Sequence, residues 1–184
     1  EIEKPGIDYA FKYSPELESI GDKPSYDKYL SSKFPESKIK EILFHGTGSD
    51  SFSKSNRVSK YNKAGIYFTT QFAEAEAYSF KHKDKAVVLP TYLDIKNPIG
   101  YKQFKEIFPF TSIINVTNKE ISKLKKMGYD GIDVRGKENG NEKTNYDYVV
   151  AFEPEQVHVL GSKTDIDNFK NWEKGKAGIP KPPN

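Results

Sequence analysis

Residues 65–78 read GIYFTTQFAEAEAY, and the change of period inside this stretch decides how the chain is built. The first half, Ile66-Tyr67-Phe68-Thr69-Thr70 after Gly65, is β-branched and aromatic, the composition of a strand. The second half is helical. Thr70 is a candidate N-cap, Glu74 and Glu76 fall early in the helix, and Lys81 and Lys83 at its end suit the helix dipole. A strand running straight into a helix sets two flat rings, Tyr67 and Tyr78, eleven positions apart.

Twenty-two residues before Tyr67, the stretch EILFHGTGSDSF, residues 41–52, ends an apolar strand on His45-Gly46-Thr47. Alone, His45 reads as a structural histidine at a strand end. Beside Tyr67 and Tyr78 it reads differently. Gly46 has no side chain to obstruct a flat ligand, and its peptide N–H and C=O can pair with both ends of a carboxamide. Two aromatic faces around such a fork form a slot for a planar aromatic amide, and a cationic ring gains further attraction.

Outward from this centre, the 184 residues predict one α+β domain of short helices interleaved with short strands. Mean hydropathy is −0.76, but 12 Tyr and 12 Phe supply bulky core material, which argues against disorder. Residues 1–25, with three prolines and two glycines, read as an irregular arm with one short helix; 26–172 read as the domain, and 173–184 as a disordered Pro-rich tail. The first residues show neither an initiator Met nor a signal peptide, so the chain reads as a piece of something longer. Helices are expected at SYDKYLSSKF and at TNKEISKLKKMG. In the second, Thr117 and Glu120 have capping-box spacing, Ile121, Leu124 and Met127 share a face, and Gly128 ends it. Strands are expected at AVVLPTYLDIK, with Pro90 implying an edge or bulge, and at Ile132 with Val134, YDYVVAF and QVHVLG.

Composition excludes several chemistries. With no cysteine there is no disulfide, thiolate nucleophile or thiolate metal site. The charge of +3, from 29 basic and 26 acidic residues, is too balanced to imply nucleic acid. No apolar run is long enough to span a membrane. His45, His82 and His158 lack metal-ligand spacing, so no metal is expected. His82 reads as a solvated helix-end residue; His158, alternating with Val157 and Val159, reads as turned away from their face and exposed.

The segments FHGT, GIYFTT and the helix carrying Tyr78 resemble the NAD-binding elements of ADP-ribosyltransferases of the diphtheria toxin and poly(ADP-ribose) polymerase type, known by a His-Tyr-Glu triad. YLDIKNPI, GYDGIDV and YVVAFEPEQVHVLGSKTDI resemble the branch found in large phage polyvalent proteins and in mobile-element or toxin chains, so that the likeness spans roughly 26–170. It implies two small antiparallel sheets flanking an NAD cleft. It implies NAD as substrate, held by His45, Gly46, Thr47, Tyr67 and Tyr78, and a carboxylate just before the YVV strand that steadies the ribose as nicotinamide leaves. Asp147 takes that place if the alignment is anchored on YVV, and Tyr148 if it is anchored on FEPEQV; Glu155 is the further alternative. Ala75 stands where some relatives carry a hydroxyl that bonds nicotinamide. The implied activity is mono-ADP-ribosyl transfer to a macromolecular acceptor, protein rather than nucleic acid, by a monomeric phage or toxin effector acting in the cytoplasm of a bacterial or target cell. The alternatives are an NAD glycohydrolase and a degenerate NAD-binding module. The loop GKENGNEKTN matches the acceptor-contacting loop of relatives.

Overall fold

A computed structural model describes residues 5–48, 64–80, 87–136 and 147–177. Residues 5–25, suggested by sequence to be an irregular arm, are helical. They form α1 (Pro5–Tyr13), α2 (Glu16–Ile20) and the start of α3 (Lys23–Lys33). The Asp22 side chain caps α3 by accepting from Ser25 N at 2.8 Å, and Pro24 occupies its first turn, where a missing N–H costs nothing. Tyr26, Tyr29 and Leu30 point inward, and with Ile7, Phe11, Leu17, Ile166 and Phe169 they build a helical core. The last two come from α7 (Lys163–Ala177).

Two small sheets follow, as the α+β reading expects. The first orders β1 (Leu43–Thr47), β3 (Val87–Leu93) and β7 (Val157–Val159) as β1-β3-β7, all antiparallel. The second orders β2 (Ile66–Phe68), β6 (Val149–Ala151), β5 (Gly131–Asp133) and β4 (Pro98–Gly100) as β2-β6-β5-β4. Its outer pair, β4 with β5, is parallel. Pro90 causes no bulge, since the β1–β3 register runs unbroken from Leu43↔Thr91 to Thr47↔Val87. β7 pairs only with Thr91–Leu93, so Pro90 sits where β3 emerges from β7, and its carbonyl accepts Leu160 N at 3.0 Å.

Alternation along β2 and β6 separates two further cores. Ile66, Phe68, Val149 and Ala151 face Leu43, Leu93 and Ile95 between the sheets. Val150 and Phe152 face outward to α5 (Tyr101–Ile107) and α6 (Asn118–Lys126) through Phe104, Ile121 and Leu124. The Thr117–Glu120 capping box of α6 forms as its spacing predicts, with Thr117 N donating to Glu120 at 2.9 Å. Met127 does not join the apolar face; it caps the helix and is half exposed. Gly128 follows at φ 91°, a conformation that ends the helix. Among the described residues no helix is long and apolar enough to cross a membrane.

Candidate functional site

Among the described residues, one isolated backbone bridge joins the two sheets. Phe44 N donates to Thr69 O at 2.8 Å, and Thr69 N to Phe44 O at 3.0 Å. Continued antiparallel, that register sets His45 beside Phe68 and Gly46 opposite Tyr67. The His45 and Phe68 rings do meet, their centroids 5.4 Å apart. His45 Nδ1 lies 2.7 Å from the Tyr67 carbonyl, which can only accept, so Nδ1 carries the proton. The imidazole thus stands between the strands where their ladder ends.

Backbone direction follows from the same bridge. Both polar groups of Phe44 point away from β3, and in a strand Gly46, two residues on, points the same way. Its N–H and C=O are aimed at the gap beside Tyr67. The missing side chain has a second use. A Cβ on Gly46 would lie 1.8 Å from the Ala75 carbonyl oxygen, so only glycine lets α4 (Phe72–Ser79) lie this close to β1. Ala75 is fully buried there against Phe44 and Val88. Thr47 closes β1 opposite Val87.

Tyr67 is pinned at its tip. Its hydroxyl donates to Ile113 O at 2.9 Å and accepts from Val116 N at 3.3 Å. Burial raises its pKa, the Val116 N–H opposes this, and the neighbouring Tyr78 and Glu120 raise it further. Tyr78, on α4, is near the Tyr67 hydroxyl and about one-third exposed (36%). The strand-to-helix step therefore leaves the Tyr67 and Tyr78 phenols close enough to act on each other electrostatically.

Thr70 is not the N-cap of α4; Gln71 holds that place without a side-chain bond. Thr70 instead binds Asp147. Asp147 Oδ2 accepts from Thr70 N at 3.1 Å and from the Thr70 hydroxyl; the Thr69 hydroxyl lies 3.4 Å from it, farther than from Glu74. Asp147 shares the strand face of Val149 and Ala151. Tyr148 shares that of Val150, the face of Tyr67, and the two rings lie 6.4 Å apart, edge to face. The Tyr148 hydroxyl donates to Glu74 Oε1, and Glu74 Oε2 accepts from the Thr69 hydroxyl at 3.1 Å. Burial, the Glu74 hydrogen bond and the proximity of Tyr78 all raise the Tyr148 pKa. Glu74 and Tyr148 were not singled out together by sequence. The available signal was the i, i+4 placement of Glu74 and Tyr78 on one helix face.

Other candidates fall away from this cluster. Glu155 is exposed on a 3-10 turn (Pro154–Gln156), and Glu153 pairs with Lys125. The FEPEQV motif is explained by Gln156, whose amide donates to Asp130 O at 2.7 Å and whose oxygen accepts from Phe152 N and Glu153 N. His158, expected to be exposed, is buried. Its Nε2 lies 2.5 Å from Asp165, because α3 and α7 cover the face of β7 that it occupies. His82 and the acceptor-loop residues 137–145 lie outside the described residues. Among the described residues no three His, Asp or Glu side chains gather as metal ligands.

The model of one protein family, ADP-ribosyltransferase in polyvalent proteins, matches residues 40–164. The chain belongs to that family. The matched segment carries every residue of the cluster, from His45 and Gly46 through Tyr67, Glu74 and Tyr78 to Asp147 and Tyr148. No curated protein and no solved structure matches the chain. As a member of an ADP-ribosyltransferase family, this domain has NAD as the substrate to test against its site.

Proposed function

We propose that this domain is a mono-ADP-ribosyltransferase, which cleaves NAD between nicotinamide and ribose and passes ADP-ribose to a macromolecular acceptor, a protein rather than a nucleic acid. The observation that supports it most is the Phe44–Thr69 bridge that ends the pairing of β1 with β2, beyond which the Gly46 peptide is turned toward Tyr67, with Tyr78 of α4 nearby. A carboxamide in the gap beside Tyr67 would accept from Gly46 N–H and donate to Gly46 C=O, with its ring against the phenols. Since Nδ1 of His45 is committed to the Tyr67 carbonyl, contact with a ribose hydroxyl falls to Nε2. Thr47, at the end of β1, follows on the same strand.

The chemistry is a substitution at the anomeric carbon. The bonding pair leaves with nicotinamide, whose cationic ring nitrogen becomes neutral, and positive charge passes to the ribose. A nearby carboxylate lowers the barrier by an amount on the order of 3–4 kcal/mol, as for other preorganised charge-stabilising groups. The resemblance gives that role to Asp147. The acceptor then bonds to the anomeric carbon and gives up a proton.

The test is to incubate the protein with NAD labelled in its adenylate and follow nicotinamide release with and without a cell lysate. Transfer predicts release that depends on lysate, together with label on protein. Release in buffer alone supports the glycohydrolase instead. If NAD at about 100 times a plausible Kd gives neither release nor the roughly 2.7 kcal/mol of protection against thermal unfolding expected of a bound ligand, the proposal is wrong.

A further inference from the structure

Asp147 and Glu74 compete for one role, and the geometry separates them. Asp147, two residues before β6, falls in phase with Val149 and Ala151, and one of its oxygens collects both donors of Thr70. Those bonds tie the start of β6 to the turn that leads from β2 into α4, the work of a turn-holding carboxylate. Glu74 reaches the same turn from α4, its Oε2 3.1 Å from the Thr69 hydroxyl that also lies 3.4 Å from Asp147, but its other partner differs. It lies one helical turn before Tyr78, so both side chains leave α4 on one face. Its two oxygens are held separately, one by Thr69 and one by Tyr148. Tyr148 in turn stands edge to face with Tyr67 and close to Tyr78. The Glu74 carboxylate is therefore one hydrogen bond from a phenol that touches both walls of the slot, and it sits in the first turn of α4, where the helix dipole favours negative charge.

We propose that Glu74, not Asp147, is the carboxylate that faces the nicotinamide-side ribose, with Tyr148 and Thr69 as its positioning residues. This rests on the transferase reading above. Glu74 would stabilise the positive charge that develops on the ribose when the glycosidic pair leaves with nicotinamide, and would then accept the proton that the incoming acceptor loses as its bond to the anomeric carbon forms. The placement also gives a reason for an aspartate at position 147. A shorter carboxylate reaches the Thr70 backbone N–H directly across on the neighbouring strand without entering the slot, and the catalytic charge arrives from the helix.

The experiment measures nicotinamide release and NAD affinity, the latter by the thermal shift of the full chain, for wild type, Glu74→Gln, Tyr148→Phe and Asp147→Asn. Glu74→Gln is expected to lower the release rate about 100-fold or more while NAD affinity stays within about threefold, the signature of an interaction made in the transition state. Tyr148→Phe, which keeps the ring and removes the hydroxyl, is expected to lower release about tenfold with affinity kept, and it guards against misfolding of the first variant. Asp147→Asn is expected to cost less rate than Glu74→Gln and more thermal stability. An active wild type in which Asp147→Asn abolishes release while Glu74→Gln and Tyr148→Phe stay near wild type overturns this inference and leaves the transferase reading standing. A wild type that neither binds NAD nor releases nicotinamide overturns the reading itself.

Discussion

At the scale of the residue, Gly46 shows one position answering two demands. Its peptide points into the gap beside Tyr67, and its missing Cβ admits the carbonyl of Ala75. Gly46→Ala forces β1 and α4 apart, because the colliding atom is backbone and cannot rotate away. Overpacking of this kind costs about 1–3 kcal/mol. Urea unfolding should show a lower midpoint with an unchanged slope, and NAD should protect the variant less than wild type. An unchanged midpoint would mean that helix and strand are not in the close contact described. The sequence already pointed to Gly46 as a backbone-access position. It gave no sign of the packing role, because Ala75 is twenty-nine positions away and meets Gly46 only after the strand-to-helix step folds back.

Elements are joined here by buried polar groups as well as by apolar faces. Asp165, in the first turn of α7, is fully buried; it accepts from Tyr29 at 3.0 Å, from Gly161 N at 2.7 Å and from Tyr26, and it pairs with His158 on β7. Burial by itself would raise its carboxyl, but the hydrogen bond and charge of His158, with Tyr26 and Gly161, outweigh burial and hold it below the usual range. A carboxyl held lower in the folded than in the unfolded state stabilises the fold above its unfolded value, about 3.9, and that contribution is lost as pH falls through the folded value. Thermal unfolding followed from pH 7 downward should therefore show a steep loss of Tm below about pH 4 in wild type. Asp165→Asn should start lower at pH 7, by about 3–5 kcal/mol of stability, and show a shallower acid limb. Equal acid limbs in the two proteins would remove Asp165 as the cause. None of this was legible locally. The alternation of His158 with Val157 and Val159 was read correctly, but which face of β7 is covered depends on α3 and α7, far away in sequence.

For the whole molecule, the family match ends at residue 164, and the structure does not divide there. Tyr92 and Leu160 of the first sheet's outer face pack against Ile7, Phe11, Leu17, Tyr26, Leu30 and Phe169, all outside 40–164. A chain cut to 40–164 would expose that face and strand His158 without Asp165. It is expected to lose cooperative unfolding and near-ultraviolet circular dichroism, whereas the full chain keeps both; a sharp transition at the full-chain Tm would show that the helices only decorate the domain. By itself the sequence determined the elements whose signals are local: the strand-to-helix step that spaces Tyr67 from Tyr78, the capping box of α6, and the His-Gly pair near the end of β1. These depend on period, caps and backbone freedom, which neighbouring residues set. Only the tertiary structure decided that Asp147 turns to Thr70 while Tyr148 meets Glu74, seventy-four residues away. In a strand, adjacent side chains take opposite faces, so the role at positions 147 and 148 follows from the register of β6 on β2, and register is set by pairing between distant strands.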